Sequence, residues 1–212
     1  MNKKVYLVFI PFISIYLWIN FYSYVLVDCW VLDEKAFFQS AISFDYGFKR
    51  FFLTENKFGY GPFYWWILSI ANHFNSFKAL RFLSFTYLAL IPVLIWLIGN
   101  KLRQPKIFRV YACLLFITYP SSWVFNKIIG PELLSVFLGM LGFYFSLSKQ
   151  SRLKGFLLTG ISFGIKLNSI SIFLFSYLFR ILTLYNSKEK IQKYLKETFW
   201  IGTCSFMGFL IS

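Results

Sequence analysis

Long apolar stretches separated by short cationic ones set the rhythm of this chain. Residues 5–27 are apolar after a basic start, "MNKK", and the next strong run is 82–99, "FLSFTYLALIPVLIWLIG". Others follow at 107–124, 132–148 and 155–182, and a last one begins at Phe199. Lys166 interrupts the 155–182 run. A lysine in mid-membrane costs about 2.5–3.5 kcal/mol on insertion scales, so a turn near "KLNS", 166–169, divides that run into two helices. The pattern predicts helices at 5–27, 82–100, 107–124, 132–148, 155–167, 169–184 and 199–212. Runs of this length and apolarity are read as membrane spans. The expected fold class is therefore all-α: a polytopic membrane protein with about seven transmembrane helices.

Charge placement orients the path. Cations at Lys3 and Lys4, at 101–109, at 149–154 and at 180–196 mark cytoplasmic segments by the positive-inside rule. The N-terminus is then cytoplasmic, and residues 28–80 form one large external loop with juxtamembrane helices. Within that loop, "GPFYWWILSIANHF" (61–74) is aromatic and short. It fits a helix lying at the interface, or a short span that would reverse everything downstream. Six of the eight acids, Asp28, Asp33, Glu34, Asp45, Glu55 and Glu132, gather on the outer side.

Composition sharpens this picture. The chain is 58% hydrophobic, 24% aromatic and only 14% charged, which leaves too little charge to cover the apolar surface in water. The net charge of +14 would suggest nucleic acid in another context. Beside such apolar runs it indicates contact with anionic lipid and no nucleic acid. The basic start lacks the short core and small-residue cleavage site of a signal peptide, so 5–27 is expected to be retained. Cys29, Cys113 and Cys204 are scattered, with no CxxC pair, and His73 stands alone.

Few residues carry candidate chemistry. Asp33 and Glu34, in "VLDEKAFFQS", lie just past the first apolar run. A carboxylate in such surroundings serves as a general base or holds a cation. The alternative is that the pair caps a helix, since acids favour a first turn. Glu132, in "IIGPELL", follows a proline at a helix start, and the same two readings apply. Lys166 follows Gly160 and Gly164, a small-residue spacing that lets helices approach closely. A buried lysine there pairs with an acid or meets a phosphate.

Taken in order, five features resemble the GT-C superfamily of membrane glycosyltransferases, such as the protein O-mannosyltransferases and lipid A aminoarabinose transferases. They are the acidic pair in "LDEKAFFQSA", the segment "GYGPFYWWILSIANHF", "KALRFLSFTYLALIPVLIWLIGNKL" with Arg81, "NKIIGPELLSVFLGMLGFYFSL" with Glu132, and "GFLLTGISFGIKLNSI" with Lys166. The resemblance runs over nearly the whole chain. It implies an enzyme performing inverting sugar transfer from a polyprenyl-phosphate donor to an acceptor hydroxyl at the outer or lumenal face. Asp33 would be the base, with Glu34 as its substitute. Glu132, Lys166, Arg81 and Lys127 would orient the donor phosphate or offset its charge. No cofactor is required, although clustered carboxylates would admit a divalent metal.

Expected partners are the lipid-linked sugar donor, membrane lipids and an acceptor. The expected location is an integral, multi-pass one, in a bacterial inner membrane or the endoplasmic reticulum. Superfamily members are considerably longer, so residues 1–212 would be a single N-terminal module, truncated or split, with a partner subunit in the split case. The alternative function is a non-catalytic module of the same kind that binds lipid-linked sugar or a partner. A transporter would show paired repeats with interrupted helices, and none is evident.

Overall fold

The computed structural model describes residues 14–18, 64, 67, 77–118, 131–166, 169–186 and 191–211. These residues include six helices: α1 (Phe77–Lys101), α2 (Lys106–Thr118), α3 (Pro131–Ser146), α4 (Arg152–Ile165), α5 (Ile170–Asn186) and α6 (Ile191–Ile211). The chain divides into two compact units. One holds α1 and α2. The other holds α3 from Leu134 onward together with α4, α5 and α6.

In the first unit α1 and α2 pack on one another. The inner stripe of α1, Leu80, Ser84, Leu88, Ile91, Leu94 and Ile98, is buried at three- and four-residue spacing. Its α2 counterpart is Val110, Cys113 and Ile117. Pro92 lies inside α1, and its carbonyl accepts the Cys113 thiol at 3.4 Å. The turn between the helices is a Schellman cap. Arg103 N–H bonds the Asn100 carbonyl at 3.0 Å and Gln104 N–H bonds the Gly99 carbonyl at 2.9 Å. Arg103 occupies the left-handed position at φ 55°, where glycine is usual because it has no Cβ to crowd the carbonyl. Pro105 then opens α2, its carbonyl accepting the Arg109 N–H at 3.3 Å.

In the second unit α4 is the hub. Its sequence, RLKGFLLTGISFGI, puts small residues on the buried face: Gly155, Thr159, Gly160 and Ser162. Against α6 the backbones nearly touch. A Cβ added at Gly160 would land on the Ser205 carbonyl, and one at Gly208 on the Leu157 carbonyl. Ile201 and Ser205 are buried on the same α6 face. On the α3 side, Ser162 Oγ donates to the Ser135 carbonyl at 2.6 Å. The Ser135 and Ser169 hydroxyls pair at 2.6 Å. Phe143 of α3 meets Phe175 and Phe179 of α5 edge-on, with centroids at 5.3 and 5.7 Å. The chain breaks between α4 and α5 at Lys166, whose backbone is extended at φ −148°, ψ 123°.

Two expectations are corrected here. Among the described residues one helix, Lys78–Lys101, is long and apolar enough to cross a membrane. That replaces the seven-span polytopic arrangement and the multi-pass location. The reason is length and charge. Helices α2 to α5 have 13, 16, 14 and 17 residues. At about 1.5 Å per residue they reach roughly 20–26 Å, short of a hydrocarbon core of about 30 Å. α6 has 21 residues but carries Lys193, Lys196 and Glu197 in its first half. Helix ends also differ: α1 begins at Phe77 rather than 82, and α6 at Ile191 rather than 199. The predicted helix at 5–27, apart from 14–18, and nearly all of the loop ahead of Phe77 lie outside the described residues.

Three stability outcomes follow from this packing. Gly160→Leu drives a side chain into the α6 backbone, so thermal unfolding should show a loss of about 1–3 kcal/mol or more. Gly202→Ala, where a Cβ meets nothing within 4 Å, should be neutral or gain up to ~1 kcal/mol from helix propensity. Arg103→Gly relieves the left-handed cost and should raise stability by roughly 1 kcal/mol in the same measurement.

Candidate functional site: a cationic cleft at α4 and α6

The first turn of α4 contains Arg152 and Lys154 and no acid. Cations there oppose the helix dipole, so the arrangement needs an external anion. Glu197 of α6 supplies it. Arg152 Nη1 donates to Glu197 Oε1. Arg180 of α5 donates to the same oxygen through Nε at 3.0 Å and Nη2 at 2.7 Å. Its Nη2 also reaches Oε2 at 2.8 Å. One carboxylate thus ties three helices. All three side chains are only 14–16% exposed, a setting where charge-assisted bonds are strong and a missing partner is costly.

Beside this clamp opens a cleft of about 390 Å³, lined by Lys149, Arg152, Leu153, Lys196, Glu197 and Trp200. Lys196 and Trp200 are one helical turn apart on α6, so they share a face. Lys149 comes from the turn after α3. Lys149, Arg152, Lys196 and, behind them, Arg180 set four cations against one acid, a local charge of +3. The wall is mixed, because Trp200 and Leu153 are large, exposed apolar side chains. Chemically the cleft suits a group with an anionic head and an apolar body.

The residues singled out from the sequence fall elsewhere. Asp33, Glu34 and Lys127 lie outside the described residues. Arg81 is buried in α1 at 1% exposure. Glu132 stands in the first turn of α3, and Lys166 closes α4. Arg81 and Glu132 belong to the first unit and Lys166 to the second. In the sequence Arg180 and Glu197 lie in and beside one cationic stretch, with nothing local to pair them. The available signal was that Glu197 and Glu189 are the only acids after Glu132.

No family model matches the chain, and neither does any curated protein or solved structure. The GT-C resemblance is therefore corrected, and with it the sugar-transfer function. Its five motifs are mostly apolar, aromatic helices, which align by composition with many helical proteins. Among the described residues no group of three or more His, Cys, Asp or Glu could hold a metal ion.

Glu197→Gln should uncouple the three helices. Unfolding experiments should show a destabilisation toward the lower end of about 3–5 kcal/mol, since two guanidinium groups lose their counter-charge.

Proposed function

We propose that this is a membrane-associated helical protein whose Lys149–Arg152–Lys196–Trp200 cleft binds the phosphate of an anionic lipid. The observation that carries the reading is the cleft's excess of cations beside an exposed tryptophan and leucine. Tryptophan prefers the headgroup level of a bilayer, and clustered Lys and Arg attract anionic headgroups. α1 is the candidate crossing helix. Less than a third of its apolar window is buried inside the chain, unlike the core helix of a globular domain. Arg152, held by Glu197, is the fixed cation of the cleft. Lys149 and Lys196, both exposed, act as mobile point charges.

The test is lipid retention by native mass spectrometry, using the full chain in phosphatidylcholine nanodiscs doped with phosphatidylglycerol. Phosphatidylglycerol should be retained selectively, and less so at high salt. At about 1 kcal/mol per cation, Lys149→Gln with Lys196→Gln should weaken it roughly 30-fold. Retention unchanged in the double variant, or no preference over phosphatidylcholine, would overturn the reading.

A further inference from the structure

A second cation is placed where water cannot easily reach it. Arg109, on α2, is only 9% exposed. Its guanidinium lies over the face of Trp96, 4.6 Å from the ring centroid. Nη1 donates to Asn100 Oδ1 at 2.7 Å. Nε is buried and has no hydrogen-bond partner. A guanidinium carries five N–H donors, and a buried donor without an acceptor costs about 1–3 kcal/mol. No Asp or Glu occurs between Glu55 and Glu132, so α1 and α2 contain no carboxylate to offer it.

The surroundings are built to hold this side chain. A Cβ at Gly99 would sit 2.6 Å from Arg109 Cγ, so the absent side chain makes room for the arginine stem. Arg109 also lines a cleft of about 340 Å³ with Ile95, Gln104, Phe108, Ala112 and Leu115. Apart from Arg109, Gln104 and the hydroxyl-bearing Tyr111, that wall is apolar. Nearby in sequence stand Lys101, Arg103 and Lys106, around the turn that ends the candidate crossing helix.

We propose that the Arg109 cleft is a second anionic-lipid site, with the lipid phosphate meeting the terminal guanidinium N–H groups that Asn100 leaves unused and an acyl chain lying along Ile95, Phe108, Ala112 and Leu115. Arginine suits this role because it stacks on an aromatic ring while its remaining N–H groups face a phosphate oxygen. The stack on Trp96 and the bond to Asn100 fix the fork before any ligand arrives. The site shares the lipid chemistry of the first cleft but uses none of its residues, so the two readings stand or fall separately.

The test uses the same nanodiscs, with the chain carrying Lys149→Gln and Lys196→Gln so that the first cleft is weakened. One phosphatidylglycerol should remain bound. Arg109→Gln should weaken it at least tenfold. Ala112→Phe, which fills the apolar arm and leaves the charge in place, should do the same, and it keeps the test decisive if Arg109→Gln fails to fold. Retention unchanged in a folded Arg109→Gln or Ala112→Phe variant overturns the site. Inorganic phosphate, added to millimolar level, should not displace the lipid. Full displacement would show that the acyl chain contributes nothing and would overturn the lipid assignment in favour of a free-anion site.

Discussion

The second unit depends on one carboxylate. Glu197 accepts hydrogen bonds from Arg152 of α4 and Arg180 of α5 while itself belonging to α6. These three helices meet mostly through apolar side chains and small residues, contacts that are strong in sum but indifferent to rotation about a helix axis. A carboxylate with two oxygens and two guanidinium forks is directional. It fixes which faces meet and at what height. It also removes the penalty of starting α4 with cations, because the dipole-opposed Arg152 now has a partner.

Close backbone approach and polar pairing reinforce each other in this unit. Gly160 and Gly208 let the α4 and α6 backbones come together, and Ser162, Ser135 and Ser169 stitch α3, α4 and the start of α5. Hydroxyl bonds of this kind gain strength where water is excluded. The clamp, the glycine contact and the serine chain lie at successive levels of α4: Arg152, Gly160 and Ser162. No single level could hold the helix alone, because α4 has only 14 residues and isolated helices of that length are marginal.

Both clefts pair a cation held rigidly with an apolar wall, but they hold it differently. At Arg152 the counter-charge is internal, so the net positive potential comes from the neighbouring lysines. At Arg109 the charge is held by a ring face and an amide, and donor capacity is left over. The exposed apolar side chains of α5 and α6, among them Leu174, Phe175, Leu178, Phe199 and Phe206, fit the same mixed setting of apolar surface and cationic edges.

Much of the local structure is legible in the chain. Helical runs, the close approach at Gly160 and the break near Lys166 are readable from the sequence, although the buried small residues of α4 are Gly155, Thr159, Gly160 and Ser162 rather than a Gly160–Gly164 pair. Apolar composition said less than it seemed to: it does not measure how long each helix is, and among the described residues only α1 is both long and apolar enough to span. The start of α6 was hidden because Lys193, Lys196 and Glu197 read as loop. They enter the helix because the Glu197 carboxylate finds its arginines there. Those partners lie 45 and 17 residues away, and no local pattern encodes that pairing. The left-handed Arg103 was equally invisible, since that position normally takes glycine. Sequence by itself determined the helical periods, the small residues of α4 and the excess of cations. Tertiary structure alone decided which cations are neutralised and which face a cleft, because that depends on bringing distant helices within hydrogen-bond reach.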